Sequence, residues 1–416
     1  MNSYSTKGTF KSYLIFWIGQ LVSLLGSSII SFAIVWWITV KTGSAFLLGY
    51  ANFIGMLPLI VLTPIFGVYI DKWNRKLIIA LADFSQALIT FWIIMLFFFG
   101  KQDVILIIYI NGLRGICQAF HFPTVKAIIP IMIPKKYLSR MNAIDYMFNG
   151  MVRIFGPVIG AFLYAFLPIV TILWIDIITF VIAIIPLILI RIPKIQIQVK
   201  KEGASFFKDF KIGVDGLNQV PGLVTLLILI SVVNFLGQPV GTLLPLYIES
   251  THSGNATDLA IVMAFIQTGM IFGALLTSFK KDWRNRVYVM TGSILISVVG
   301  YFVIGLSPTG FFILIGIGGM IRAAMVPLIN TNFLTIIQLH VAPDLQGKVM
   351  SIVVSLAWAV IPLGSIVAGP LAELMGIRLL YIASAILVIF TVLITLLFTN
   401  VRLVKFETIY EPKGKN

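Results

Sequence analysis

Long apolar segments dominate this chain and decide which solvent it can fold in. Twelve stretches of about 20 or more mostly apolar residues, the length at which a helix crosses a bilayer, follow one another along its 416 residues. Only 11% of the residues are charged, against about a quarter in soluble proteins. Because backbone N–H and C=O groups in lipid must bond within the chain, each stretch is predicted to be a helix. The sequence therefore predicts an all-α integral membrane protein.

The predicted helices form two sets of six. Their ranges are 12–40, 46–69, 77–99, 104–124, 141–164, 168–190, 221–248, 259–279, 287–306, 311–336, 348–372 and 377–400. A long polar segment separates the sixth range from the seventh. We predict an N-terminal six-helix bundle (1–190), a cytoplasmic linker (191–220), a C-terminal six-helix bundle (221–400) and a cytoplasmic tail (401–416).

Lysine and arginine are unevenly distributed between the two sides of the predicted membrane. With the N-terminus inside, 24 of the 30 lie in cytoplasmic segments, three in outer loops and three within helices. Basic residues are enriched on the cytoplasmic side, so both termini are expected there, in a multi-pass plasma-membrane protein. The net charge of +15 then faces anionic lipid rather than nucleic acid.

The residues that build enzyme and metal sites are sparse. There is one cysteine, and the three histidines are far apart in the sequence. We find no HExxH, no P-loop and no GxSxG pattern. We therefore expect no metal site, no cofactor and no enzymatic activity.

The two halves share an internal repeat. Arg114 and Arg322 lie 208 residues apart, each near the middle of the fourth predicted helix of its half and each followed by a proline. Gly156-Pro157 has a looser counterpart in Gly369-Pro370. Internal repeats of this kind are typical of secondary transporters.

A short basic link joins the second and third apolar stretches. Gly67, Asp71, Arg75 and Lys76 give it the spacing G-x-x-x-D-x-x-x-R-K. The link must turn tightly at the bilayer surface, where the aspartate suits the positive end of the next helix dipole and the cations suit anionic headgroups. A merely solvated basic loop is the alternative. Asn74 precedes the arginine, and we expect it to adopt the left-handed backbone that asparagine tolerates.

Together these motifs resemble the macrolide-efflux type of the major facilitator superfamily, the drug:proton antiporter-3 branch. The segments that carry the resemblance are Trp17–Gln20, Leu24–Ser28, Lys41–Ala45, Asp71–Lys76 and Arg114–Pro123. The resemblance implies the major facilitator fold of two six-helix bundles, a cytoplasmic gate at the Gly67–Lys76 link, and proton-coupled efflux by alternating access.

Charged residues at membrane depth are the candidates for proton coupling, because charges there are costly and usually functional. They are Arg114, Asp83, Asp145, Asp176 and Arg153. The resemblance implicates Arg114 in proton coupling, and the alternative is a structural arginine bonded to Gln20 or to carbonyl groups. The depths of Asp83 and Asp145 suit a gate network with Arg75, but a structural role is favoured for both. For Asp176 we favour a structural pair with Arg153.

Two further groups concern movement and substrate. Gly156, Pro157 and Gly160 resemble the antiporter motif of the fifth helix, where proline kinks the helix and glycine allows close packing. We predict a hinge there, with plain helix packing as the alternative. Polar side chains on the first, fourth and seventh helices, together with the second arginine, are the substrate-cavity candidates: Gln20, Asn111, Asn234, Gln238 and Arg322. For the second arginine a structural role is slightly favoured.

Three hypotheses of function follow. The first is a proton-driven exporter of amphipathic compounds, macrolide-like drugs among them. The second is a dedicated exporter of one endogenous metabolite, such as a siderophore or a lipid-linked precursor, for which Arg114 and Arg322 would suit an anionic cargo. The third is a non-transporting scaffold or receptor. For the first we expect a bacterial monomer whose partners are a small amphipathic substrate, protons and membrane lipid.

Overall fold

The computed structural model describes residues 7–70, 73–190, 192, 206–279, 283, 285–342, 345–399 and 401. These residues form helices joined by short connections, and none of them lies in a strand. Twelve helices are long and apolar enough to cross a membrane, which confirms the all-α membrane fold. The chain divides into two compact units: unit 1 is Met1–Gly43 with Tyr50–Val199, and unit 2 is Ser44–Gly49 with Lys200–Asn416.

The first six apolar stretches form helices α1 to α6. Their bounds are α1 (Lys7–Thr42), α2 (Ala45–Ile70), α3 (Arg75–Phe98), α4 (Val104–Met132), α5 (Lys135–Phe166) and α6 (Ile169–Leu189). The predicted bounds agree to within six residues except at α4, which continues past Pro123 and Pro130 to Met132. Prolines inside membrane helices are tolerated because neighbouring helices re-satisfy the freed backbone groups, so α4 continues through both of them.

The second half contains one more helix than the membrane spans require. Its elements are α7 (Phe206–Asn218), α8 (Leu223–Leu246) with a π-helical turn (Tyr247–Thr251), α9 (Ala256–Phe279), α10 (Arg286–Leu306), α11 (Phe312–His340), α12 (Gln346–Met375) and α13 (Ile377–Phe398). Helix α7 lies within the predicted linker. It packs on α12 through Gly213, where a Cβ atom would lie 2.5 Å from Ile352 Cδ1.

The two units have the same internal packing pattern. In unit 1, α1 packs against α5 and α6, and α3 packs against α4 and α6. In unit 2, α8 packs against α12 and α13, and α10 packs against α11 and α13. The sequence repeat therefore corresponds to a repeated arrangement of helices.

Helix α11 is held closely by both of its neighbours in unit 2. A Cβ atom at Gly269 of α9 would lie 2.2 Å from Met320 O, and one at Gly300 of α10 would lie 2.4 Å from Gly318 O. Small residues let helix backbones approach in this way in membranes, where dispersion contacts replace the hydrophobic effect between helices. Helices α9, α10 and α11 thus form one closely packed layer.

Candidate functional site

A buried ion pair lies at the centre of unit 1. Arg114 Nη1 of α4 is 2.9 Å from Asp176 Oδ2 of α6, and the two side chains are 8% and 4% exposed. Thr90 of α3 and Ser27 of α1 also donate to the Asp176 carboxylate, at 2.5 and 3.0 Å. Thr90 in turn accepts a hydrogen bond from Arg114. Side chains from α1, α3, α4 and α6 thus take part in this ion pair and its hydrogen bonds.

Two amides extend this polar cluster. Gln86 Nε2 donates to Ser27 Oγ at 3.0 Å, and Gln118 Nε2 donates to Gln86 Oε1 at 2.8 Å. The amides connect α3 and α4 about one helix turn from the ion pair. Buried polar groups that bond one another in this way fix the rotation of their helices, because leaving one unpaired is costly.

A second charged group lies closer to the start of α3 and to the end of α4. His121 Nε2 of α4 is 3.2 Å from Asp83 Oδ1 of α3, with side chains 19% and 7% exposed. Gln20 of α1 bridges them: its Nε2 donates to Asp83 Oδ2 at 3.1 Å, and its Oε1 lies 2.8 Å from His121 Nε2. The imidazole nitrogen therefore faces two acceptors, which favours a proton on that nitrogen.

The third buried carboxylate of unit 1 belongs to Asp145 of α5. It forms an ion pair with Lys126 of α4, whose side chain is 42% exposed. Trp17 Nε1 and Asn149 Nδ2 also donate to its Oδ1, at 2.8 and 3.0 Å. Each of the three predicted carboxylates thus has a basic partner in unit 1.

The predicted Asp176–Arg153 pair is wrong, and the alternative in which Arg114 bonds Gln20 is not what the structure shows. Asp176 bonds Arg114 rather than Arg153, because Arg153 lies on an exposed face of α5. Arg114 bonds Thr90 and Asp176 rather than Gln20, which is bonded to Asp83 instead. The sequence gives the position of a residue along its helix, but it does not specify rotation about the helix axis.

The gate motif is only partly described. Asp71 lies outside the described residues, Gly67 lies in the last turn of α2, and Arg75 begins α3. Lys76 Nζ donates to Ile188 O and Ile190 O, at 2.7 and 2.8 Å. Lys76 therefore binds the carbonyl end of α6, where a cation also complements the helix dipole.

The expected backbone of Asn74 is wrong. Its φ and ψ of −71° and 106° are extended rather than left-handed, and its side chain accepts from the backbone N–H groups of Lys76 and Leu77. Asparagine is thus selected here as an N-cap. Asn285 caps α10 in the same way, accepting from Tyr288 N, so the repeat extends to the cap of the third membrane helix in each half.

The predicted hinge residues lie where α5 meets α1. A Cβ atom at Gly156 would lie 2.2 Å from Ser28 Oγ, and one at Gly160 would lie 2.9 Å from Ile29 O. Pro157 lies between them inside α5. The glycines are required for this close approach of α5 to α1, as the alternative of plain helix packing expects. A hinge role for these residues stays a prediction.

The cavity candidates are spread over both units. Gln20 belongs to the Asp83 cluster, and Asn111 is half-buried on α4, one turn before Arg114. In unit 2, Asn234 and Gln238 are half-buried on α8. Arg322 is half-buried on α11 and donates to Gly237 O at 3.3 Å.

His121 was not among the predicted site residues, although the sequence contained a signal for it. Polar residues recur at helical spacing on α3, at 83, 86 and 90, and on α4, at 114, 118 and 121. Residues so spaced share one helix face, and two such faces in otherwise apolar helices indicate a shared polar interface. Judging histidines by their distance from other histidines overlooked this pattern.

Comparisons with known proteins agree with this architecture. A family model described as Major Facilitator Superfamily matches residues 16–365. The chain is 29% identical over 387 residues to Macrolide efflux protein A of Streptococcus pyogenes, covering 93% of this chain and 95% of the relative. It is 26% identical over 378 residues to Multidrug efflux pump Tap of Mycolicibacterium fortuitum, covering 87% of this chain and 89% of the relative.

Solved structures support the fold independently. A bacterial homologue of the human lysosomal transporter Spinster, in an inward-facing and unoccupied conformation, matches with a TM-score of 0.72 at 15% identity, covering 98% of this chain and all of the other. A bacterial homologue of the iron transporter ferroportin, in an inward-facing state, matches with a TM-score of 0.70 at 12% identity, covering 92% and 98%. At these identities the likeness concerns the fold alone.

Proposed function

The chain belongs to the major facilitator superfamily, and we therefore propose that it is a proton-coupled exporter of amphipathic compounds that works by alternating access. Export is supported by the similarity to efflux proteins over most of the chain. Macrolide-like compounds are the first substrate class to test, because one relative bears that name.

The main support for proton coupling is the contact between Asp83 and His121. Each buried carboxylate in unit 1 has one basic partner: Arg114 for Asp176, Lys126 for Asp145, and His121 for Asp83. Guanidinium groups and hydrated ammonium groups stay protonated near neutral pH, whereas imidazole exchanges its proton there. Among these three pairs, Asp83–His121 is the one whose basic member is an imidazole, and it is therefore our candidate for proton exchange.

Proton uptake at this pair would bias a conformational equilibrium. A charge in a site that excludes water interacts more strongly with its surroundings than a charge in solution, so adding a proton alters the relative stability of states that bury the pair to different extents. Gln20 bonds both members of the pair, which links their protonation to the position of α1. Protons entering from outside would favour outward release of the substrate.

Substrate-stimulated proton movement in proteoliposomes tests the proposal. Purified protein is reconstituted with a pH-sensitive dye in the lumen, a pH gradient is imposed, and erythromycin is added as the probe. We expect erythromycin to accelerate proton movement in wild type. We expect Asp83→Asn to abolish this acceleration and His121→Gln to reduce it strongly, because neither variant retains a titratable pair.

A charge-removing variant outside the pair is the matched control. Asp103 is an exposed N-cap of α4 whose Oδ1 accepts from Leu106 N at 2.7 Å. Asparagine caps helices equally well, so Asp103→Asn should keep wild-type coupling. Transport that is independent of pH, or full coupling in Asp83→Asn, would contradict the proposal.

A further inference from the structure

The internal repeat preserves an arginine but not its carboxylate. Arg114 and Arg322 are each the eleventh residue of their helices, α4 and α11. Asp176 is the eighth residue of α6, and the eighth residue of α13 is Ser384, which is 2% exposed. Since α6 and α13 occupy equivalent places in the two packing patterns, unit 2 has serine where unit 1 has the counter-charge.

Among the described residues of unit 2, Arg322 has no carboxylate partner. No acidic side chain of the described residues lies within ion-pair distance of it. The sequence gives the reason, because the acidic residues of α8 to α13 occur only near helix ends, at Glu249, Asp258 and Glu373. An arginine within a membrane helix that lacks an internal counter-charge is a candidate for a substrate or ion site.

The contacts of Arg322 orient its guanidinium without neutralising it. The guanidinium carbon lies 5.0 Å from the centroid of the Tyr301 ring, and Nη2 donates to Gly237 O. A Cβ atom at Gly237 would lie 3.2 Å from this Nη2 and 2.9 Å from Tyr301 Oη, so glycine leaves the room that both side-chain tips use. Arginine has five N–H donors, and one carbonyl and one ring face satisfy only part of that capacity.

We propose that Arg322 binds the anionic oxyacid group, such as a carboxylate, of acidic amphiphiles among the compounds that the chain transports. A guanidinium matches the geometry of an oxyacid with two parallel hydrogen bonds. Arg114 does not share this role, because Asp176 already neutralises it. The inference rests on the proposed transport function and adds to its substrate range, beside macrolide-like compounds, amphiphiles with an apolar body and a negatively charged end.

Three probes with the same apolar body test the charge preference. Pyrenebutyrate, its methyl ester and pyrenebutylamine are titrated by fluorescence into the purified full-length protein in an uncharged detergent. We expect wild type to bind the carboxylate at least about tenfold more tightly than the ester, which corresponds to about 1.4 kcal/mol. Affinity ratios are compared between variants, so different partitioning of the probes into micelles cancels.

Substitutions at Arg322 then assign the preference to its charge. We expect Arg322→Gln to bind acid and ester equally and Arg322→Lys to retain part of the preference, since lysine keeps the charge but not the two-pronged geometry. Arg153→Gln removes another arginine charge at membrane depth, from an exposed face of α5, and should keep the full preference. An unchanged unfolding temperature in Arg322→Gln excludes loss of fold as the cause.

A complementary variant places a carboxylate at the position of unit 2 that is equivalent to Asp176. Ser384 holds the position on α13 that Asp176 holds on α6, the eighth residue of its helix. We expect Ser384→Asp to compete for Arg322 and abolish the preference for pyrenebutyrate, while Ser384→Asn keeps it. Equal binding of acid and ester by wild type, or a preference that survives in Arg322→Gln, would overturn the proposal. Because these titrations need no proton gradient, failed proton coupling in proteoliposomes is a separate result.

Discussion

Replacing Asp176 by asparagine should destabilise unit 1 substantially. In the wild type, Arg114 Nη1 lies 2.9 Å from Asp176 Oδ2, and both side chains are more than nine-tenths buried. The substitution retains one acceptor oxygen but leaves the guanidinium buried without a counter-charge. Removing one partner of a buried ion pair costs about 3–5 kcal/mol. For a unit of this size each kcal/mol lowers the unfolding temperature by about 2–4 °C, so we expect a decrease of about 6–20 °C.

The single cysteine of the chain provides a local assay for this prediction. Cys117 is 8% exposed and lies on α4, three residues after Arg114. A thiol-reactive dye that fluoresces on coupling will therefore label it when unit 1 opens. We propose to measure labelling against temperature for wild type, Asp176→Asn, Arg114→Gln and the double variant in detergent.

The double variant distinguishes pairing from simple packing. Removing both charges leaves neither group buried and uncompensated, so its loss of stability should be smaller than the sum of the two single losses by about 1–3 kcal/mol. An Asp176→Asn protein as stable as wild type would refute the reasoning. So would additive single losses, because they would mean that the two charges do not stabilise each other.

Three further predictions concern stability. Gly273→Ala would place a Cβ atom 2.0 Å from a backbone carbonyl oxygen of α11, and it should lower the free energy of unfolding by about 1–3 kcal/mol. Gly292→Ala is the control, because its Cβ atom meets nothing within 4 Å; it should be neutral or slightly stabilising in the same thermal assay. Lys76→Met should lower the unfolding temperature of unit 1 by a few degrees, since it removes two hydrogen bonds from the carbonyl end of α6 worth about 1 kcal/mol each. Burial, and then the nearby Arg378 charge, lower the pKa of His252, whose Nδ1 accepts from Gly310 N at 3.2 Å. The unfolded state therefore binds the extra proton, so the stability from this group should be complete above the ordinary histidine pKa and should fall on acidification, by at most about 1.4 kcal/mol per pH unit. His252→Asn, which keeps an acceptor, should reduce this loss of stability at acidic pH. An unchanged loss in His252→Asn would contradict the assignment.

The sequence predicted the helices well because one physical requirement fixes them. An apolar stretch in lipid has to satisfy its own backbone, so length and hydropathy alone located every membrane helix. The predicted range of α4 ends at residue 124, whereas the helix continues through Pro123 and Pro130 to Met132, which a membrane helix with packed neighbours tolerates. Helix α7 lies in a polar segment, where hydropathy carries no such signal.

The pairing of charges could not be predicted to the same extent. Asp176 and Arg153 were assigned to each other from similar depth, but Arg153 lies on the outer face of α5 and Asp176 bonds Arg114. A sequence gives the height of a residue along its helix, whereas partner choice also depends on how each helix is rotated. The spacing of polar residues on α3 and α4 indicates which face of each helix points to the other. Using both spacings together would have identified His121 as the partner of Asp83.

The close layer of α9, α10 and α11 has a consequence for the second half of the molecule. Its glycine-to-carbonyl contacts bring the three helix backbones close together, so we expect the layer to move as a single rigid plate. Arg322 and Tyr301 belong to the plate, whereas Gly237 belongs to α8, which contains two prolines and ends in a π-helical turn. The contacts of the Arg322 guanidinium therefore depend on where α8 lies against this plate.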